Sequence, residues 1–208
     1  MPENRSQKPQ PRIFHDLVVD KAARAILLSF YAILLALIPT DAKAEHRIES
    51  KEHGFQITFP DSWSALDRKS PGSVVSYGES GRRNNGSIYV ASCNIGASDA
   101  PSSKNKRQAE INSEIEGLLN SGAMTKNYAE ARLAVNETYT RTIGGVRVLV
   151  AVGNTSENPY GTEIALIRQQ SMFFRPGLGY VITCQATSSD FPKARLLFDR
   201  VSDSFRFE

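Results

Sequence analysis

Residues 163–186 read EIALIRQQSMFFRPGLGYVITCQA, and their reading decides the architecture. Glu163 to Phe174 and Leu178 to Ala186 are two long strand-like runs, and Arg175-Pro176-Gly177 between them is turn chemistry. Strands joined by so short a connection pair antiparallel. The stretch before them extends the pattern. Gly144-Gly145 turns the chain, after which Val146, Val148, Val150 and Val152 line one face against Arg147 and Leu149 on the other. Asn154 to Gly161, with Pro159, is a polar loop, and Tyr128 to Tyr139 carries Leu133 and Val135 into a Thr-rich end. Together these segments predict an antiparallel meander.

Working outward, Gly54-Phe55-Gln56-Ile57-Thr58-Phe59 alternates until Pro60, with Phe55, Ile57 and Phe59 on the inner face, and Pro60-Asp61-Ser62-Trp63 turns the single tryptophan back toward the core. Val74 to Tyr77 is a second short strand. The Gly/Arg/Asn-rich stretch from Gly78 to Gly86 then predicts a hairpin-like loop into Ile88 to Ile95. From Lys104 to Asn120, Ile111, Ile115, Leu118 and Leu119 recur at helical spacing, with Ser103 or a neighbouring serine as cap and Gly122 as stop. A second helix is expected at the end, where Phe191, Ala194, Leu197, Phe198, Val201 and Phe205 fall at helical steps behind Asp190 as cap and Pro192 in the first turn. Short strands, a helix, a meander and a helix make an α+β order, in contrast to the βαβ alternation of a doubly wound nucleotide-binding sheet.

The amino-terminal end has a different character. Arg5, Lys8, Arg12, Lys21 and Arg24 precede the apolar run Ala25 to Ile38, which Pro39, Thr40 and Asp41 break; Ala42-Lys43-Ala44 then supplies small residues where a signal peptidase reads. Residues 1–44 are therefore expected to be a cleaved signal peptide, residues 45–53 a polar lead-in and residues 54–208 one domain. A retained membrane anchor and a buried helix are the competing readings of residues 25–38. The chain as a whole carries 25 basic against 22 acidic residues; residues 45–208 alone carry nineteen against eighteen, a formal charge of +1. So small a charge supplies no long-range field for nucleic acid or anionic lipid.

Export changes the meaning of the two cysteines, because an oxidising compartment permits a disulfide. Cys93 shares a strand face with Tyr89, Ala91 and Ile95, and Cys184 with Tyr180, Ile182 and Ala186, so both are expected to point into the core. They bond if their strands are neighbours; otherwise they are two buried thiols acting as small hydrophobes.

The stretches Gly54 to Trp63 and Gly179 to Cys184, followed by Phe191 to Phe207 with Val201-Ser202-Asp203-Ser204-Phe205, resemble the PsbP/Mog1-like group. That resemblance spans about residues 50–207 and implies a compact α/β/α sandwich with a central, mainly antiparallel sheet and two main helices. Photosystem-associated members of the group bind at a membrane protein complex and Mog1 members bind a small GTPase. No residue of this chain matches a functional signature of either kind.

Candidate chemistry is sparse. His15, His46 and His53 are the only histidines, and His15 lies in the leader, so neither a zinc cluster nor a serine–histidine pair is expected, and no cofactor or metal is implied. Asp61, Glu79, Glu137, Glu157 and Glu163 are the carboxylates that would have to converge for a small hydrolase acting on a cell-wall component. Contact residues are sought on loops: Arg82, Arg83, Asn84 and Asn85 on one, Asn158 and Tyr160 on another, as a polar rim for an envelope protein or a cell-wall fragment. The leading expectation is thus an exported, periplasmic or secreted domain acting by protein or ligand binding, with a non-enzymatic role expected ahead of a catalytic one. Nucleic acid is not an expected partner, and membrane contact is expected only if the amino-terminal segment is retained, as in an inner-membrane-anchored structural subunit. Protein recovered from cells is expected to have the intact mass of residues 45–208; a mass that retains residues 25–38 would identify an anchor instead.

Overall fold

The computed structural model describes residues 45–67, 72–121, 133–157 and 163–208. The expected leader, the Gly122 stop, and Asn158 and Tyr160 lie outside the described residues. In chain order the strands are β1 (Glu45–Ser50), β2 (Phe55–Pro60), β3 (Ser64–Ala65), β4 (Ser73–Arg82) and β5 (Ile88–Ala100). A 3-10 turn at Pro101–Ser103 leads to helix α1 (Gln108–Ser121), followed by β6 (Ala134–Ile143), β7 (Val146–Glu157), β8 (Ile164–Arg175) and β9 (Gly177–Thr187). Helix α2 (Phe191–Ser204) and the short β10 (Arg206–Phe207) complete the order. None of the described helices is long and apolar enough to cross a membrane.

Seven strands form one sheet in the order β3-β4-β5-β9-β8-β7-β6 with every neighbour antiparallel, and β1-β2-β10 form a second, smaller sheet. Helix α2 and the small sheet cover one face of the large sheet, while α1 packs on the other face against β7, β6 and β8. The fold is α+β, dominated by antiparallel sheet and carrying two helices, as the residue pattern indicated. Strand β7 explains the layering. Val146, Val148, Val150 and Val152 enter the main core with Phe55, Ile57, Phe59 and the inner face of α2, while Leu149 and Ala151 on its reverse side meet Ile115 of α1. A strand apolar on both sides belongs between two covering layers.

Cys93 and Cys184 are direct cross-strand partners on β5 and β9, with Cα atoms 4.0 Å apart, and they form a disulfide across 91 residues of sequence. Tyr77, Cys93, Cys184, Gln169 and Val152 make one continuous row across five strands of the core face. Closing a loop of that length restricts the unfolded chain by a nominal contribution of about 4–5 kcal/mol.

Local departures from the sequence expectation have local causes. Residues 45–50, expected to lie in a polar lead-in, form β1, a polar edge strand held by the register of β2. The expected loop from Gly78 to Gly86 is mostly strand: β4 runs to Arg82 and only residues 83–86 turn. Gly78 is required by close approach, since a Cβ there would stand 2.6 Å from that of Ser92 and 2.7 Å from the Ala91 carbonyl oxygen, whereas one at Gly81 would meet the outer end of the Tyr89 ring, at 2.8 Å. Ser103 does not cap α1. Its hydroxyl lies 2.9 Å from the carbonyl oxygens of Ala100 and Arg175 and accepts the Gly177 N–H at 3.1 Å, fastening the chain to the β8–β9 hairpin. Asp190 precedes α2 as expected, yet its carboxylate caps nothing: Arg83 and Thr187 donate to it from β4's turn and from the end of β9.

Two predictions follow from this frame. Replacing both cysteines with alanine should lower the unfolding free energy by about 2–5 kcal/mol, measured by denaturant titration; a reductant should lower the wild-type midpoint and leave the variant's unchanged. The hydrogen bond from Arg83, then that from Thr187, holds the Asp190 carboxyl below its ordinary value. A carboxyl depressed in the folded state stabilises fully above its unfolded pKa of about 3.9, and that contribution disappears as pH falls through the lower folded value. Asp190→Asn should therefore be less stable than wild type at neutral pH, with the difference shrinking at acid pH. A difference constant with pH would show that the ionised carboxylate is not what matters.

Candidate functional site

The turn residues proposed from sequence are mostly occupied with the fold. Arg83 reaches Asp190, 107 positions away, and lies with its guanidinium carbon 5.6 Å from the Tyr89 ring centroid. Asn85 Oδ1 accepts both the N–H (3.1 Å) and the hydroxyl (2.7 Å) of Ser87, an Asx arrangement that builds the turn. Arg82 donates across the same turn to the Gly86 carbonyl at 3.4 Å, and Asn84 is exposed at its tip. These four residues are thus brought together on one turn, held against the start of α2 by Arg83. Asn158 and Tyr160, the other half of the expected rim, lie outside the described residues.

A concave surface lies elsewhere. On the face opposite the main core, α1 covers the β6–β7 side, where Leu149, Ala151, Met172 and Phe174 are apolar. Across β5, β9 and β8 the same face is polar. Asn94, Thr183 and Gln170 form one cross-strand row, and Gln185 opposite Arg168 begins the next. With Ser98 and Glu157 they line a trough of about 380 Å³, whose lining also includes Gly96, Gly179 and Val181. Gly96 and Gly179 contribute no side chain; the Phe174 ring and Ser98 close over Gly179, and the Gly72 carbonyl oxygen stands 3.3 Å from where a Gly96 Cβ would lie.

The charges in the trough are mutually neutralised. Arg168 Nη2 donates to Glu157 Oε1 at 3.0 Å and to Gln185 Oε1 at 2.9 Å, and Gln185 Nε2 donates to the same Glu157 oxygen at 3.0 Å, closing a triangle. The pair is partly exposed, so its net value is about 1 kcal/mol or less; its consequence is orientation, because each member fixes the other two. Gln170 Nε2 donates to Thr183 Oγ1 at 3.3 Å. What the trough offers a ligand is therefore a set of amide and hydroxyl donors and acceptors with little net charge.

Of the five carboxylates considered from sequence, only Glu157 lines this trough. Glu137 pairs with Arg195 at 3.1 Å, and Asp61 lies 3.9 Å from His46 Nε2. The carbonyl of His53 accepts the Tyr180 hydroxyl at 2.8 Å. Among the described residues no group of three or more His, Cys, Asp or Glu side chains is arranged to hold a metal ion. Loop-directed reasoning missed the trough because its residues sit on strands. The available signal was alternation itself: Asn94, Thr183, Gln185, Arg168 and Gln170 fill outward positions with polar groups where a fully covered sheet would be apolar.

No protein-family model matches the chain, and no curated protein matches it. Solved structures are similar in chain path. The solution structure of cyanobacterial PsbP (CyanoP) from Synechocystis sp. PCC 6803 aligns with 14% identity and a TM-score of 0.48 over 82% of this chain and 96% of that one. LpqN, involved in cell envelope biogenesis of Mycobacterium tuberculosis, aligns with 12% identity and a TM-score of 0.43 over 77% of this chain and 88% of its own. A protein of unknown function from Pseudomonas aeruginosa, PA94, aligns with 12% identity and a TM-score of 0.39, covering 77% and 94% respectively. These similarities assign no activity to the chain.

Proposed function

We propose that this chain is an exported, non-catalytic binding module of the cell envelope, and that the open face of its sheet takes a hydroxyl- and amide-rich ligand of the cell-wall-fragment class. The observation that carries this reading is the trough across β5, β9 and β8: concave, lined by Asn94, Ser98, Gln170, Thr183 and Gln185, and internally neutralised through Arg168 and Glu157. A neutral ligand rich in hydroxyl and amide groups can replace the water on such a surface bond for bond, whereas a strongly charged one would lose hydration without gaining a counter-charge. The disulfide supports an oxidising compartment, consistent with the leader-like residues 1–44. Glu157 is already held by Arg168 and Gln185, so the trough supplies hydrogen bonds in place of the two carboxylates that glycoside cleavage uses.

Titration of the isotopically labelled protein with soluble fragments of digested cell wall is expected to shift amide signals of β5, β8 and β9 selectively. Asn94→Ala combined with Thr183→Val should weaken that binding by about tenfold, the order expected for two net hydrogen bonds, without changing thermal stability appreciably. Shifts confined to other surfaces, or binding indifferent to this pair of substitutions, would refute the assignment of the trough.

A further inference from the structure

A second concavity, sharing no residue with the trough, lies where two hairpin turns meet the last strand. Gly144, Gly145 and Val146 from the β6–β7 turn, Arg175 and Pro176 from the β8–β9 turn, Gln108 at the start of α1, and Arg206 and Phe207 of β10 line a groove of about 530 Å³. Its lining contains two guanidinium groups and no carboxylate. It differs in this from the surfaces around Arg83, Arg107, Arg141, Arg147, Arg168 and Arg195, each of which has an acidic partner. Arg175 and Arg206 form no ion pair among the described residues; the nearby Asp203 carboxylate is engaged by Arg141 at 3.2 Å, and Glu208 is not part of the groove lining.

Both guanidinium groups are nevertheless held in place. Arg175 lies 4.8 Å above the centroid of the Phe207 ring, and that ring is itself set edge-on against Phe205, Tyr180 and Phe173 at 5.2, 5.7 and 5.9 Å. Arg206 Nη1 donates to the carbonyl oxygens of Asp203 and Phe205 at 2.5 and 2.7 Å, leaving its other guanidinium donors for a ligand. Between them the Gly144-Gly145 turn presents bare backbone. A Cβ at Gly145 would meet nothing within 4 Å, and one at Gly144 would approach only the Phe207 ring, at 3.8 Å. The result is a pair of pre-positioned cationic forks facing an accessible, partly apolar groove.

We propose that this groove is a phosphate-binding site, in which Arg175 and Arg206 together hold the oxygens of one phosphate group. Charge complementarity selects the ligand: a phosphate group, a dianion when free and a monoanion in a diester headgroup, offsets the uncancelled guanidinium charge, and its tetrahedral oxygens accept from two planar forks at once. Phe207 acts as a positioning residue, since it touches Arg175 and sets where that cation sits. The phosphate group has two sources, a small soluble molecule or an anionic lipid headgroup, and the recognition chemistry is the same for both.

The test uses the exported protein in two arms at low ionic strength: titration with inorganic phosphate followed by NMR, and co-sedimentation with phosphatidylglycerol vesicles against phosphatidylcholine vesicles. The expected result is saturable binding in at least one arm, with the arginine side-chain N–H signals of Arg175 and Arg206 shifted in the phosphate titration. Arg175→Gln and Arg206→Gln should each weaken it at least tenfold, while Arg82→Gln leaves it unchanged. Pro176→Glu, which adds a carboxylate to the lining and removes neither arginine, should weaken it comparably and guards against a loss caused by misfolding. Binding of phosphate alone identifies a soluble ligand, and binding of phosphatidylglycerol vesicles that free phosphate cannot compete away identifies a headgroup. Absence of binding in both arms, or binding that survives the substitutions at Arg175 and Arg206, overturns the proposal and leaves the trough assignment untouched.

Discussion

The pairing of β5 with β9 is the constraint on which the rest of the structure depends. Every other neighbouring pair in the seven-stranded sheet joins strands consecutive in sequence, whereas β5 meets β9 only after α1, β6, β7 and β8 have intervened. A contact of that sequence separation must overcome loop-closure entropy before it yields any stabilisation. The Cys93–Cys184 bond lies within this pairing, between residues directly opposite each other, so it fixes register as well as proximity. A one-residue slip of β9 against β5 would send Tyr180, Ile182 and Ala186 out of the core together. Without this pairing the chain would comprise two separate meanders, and neither the main core nor the polar trough would exist.

Because the sheet is closed there, its two faces acquire different tasks. The core face is packed across its width by α2 and β2, and aromatic contacts carry much of that packing: Phe205 stacks on Phe55 at 5.3 Å and meets Phe173 edge-on at 4.9 Å. Polarity enters this face where α2 crosses β8. Gln169, only 1% exposed, donates to Asp199 at 3.0 Å, and Arg141 reaches the same carboxylate at 3.4 Å. These bonds orient α2 on the sheet more than they stabilise it, since buried polar groups gain little over apolar ones of the same shape. Among the described residues, the reverse face is packed where β7 and its neighbours present Leu149, Ala151, Met172 and Phe174 to α1. Where β5 and β9 replace those side chains with Asn94, Thr183 and Gln185, apolar packing has nothing to grip and the polar surface lies open to a ligand.

Local chemistry was legible in the sequence, and long-range partnership was not. The Gly144-Gly145 and Arg175-Pro176-Gly177 turns, the valine alternation of β7 and both helices rest on neighbours within a few residues, and each appears in the structure. The shared apolar face of each cysteine was readable too, but whether they bond depended on a strand order that no local pattern encodes. Gly78 and Gly81 look like loop glycines until Ser92 and Tyr89 are placed against them across the strand pair. Asp190 looks like a helix cap until Arg83 arrives from β4's turn. The same limit governed the candidate site. Arg83 and Asn85 have the composition of a recognition loop because turn-building and recognition use the same residue types, and only the positions of Ser87 and Asp190 separate the two roles. The trough residues are scattered over strands that become adjacent only through the β5–β9 pairing.

The distribution of arginine partners connects these observations to electrostatics. A net charge near zero is compatible with any arrangement of the individual charges, but here four arginines of the sheet and helices are matched with carboxylates from another element. Arg141 joins β6 to α2, Arg147 joins β7 to α1, Arg195 joins α2 to β6, and Arg168 joins β8 to the end of β7. The more exposed of these, Arg147–Glu116 and Arg195–Glu137, contribute little stability, typically about 0–1 kcal/mol each, and the main effect of all four is to leave the surrounding surface without a strong field. The trough inherits that neutrality through Arg168 and Glu157. At the turn end of the sheet the matching stops: Arg175 is held by a ring and Arg206 by backbone carbonyls, contacts that position a guanidinium without cancelling its charge. The large sheet thereby carries a neutral trough, while its turn end together with β10 carries a cationic groove, and the difference arises from what anchors the arginines there.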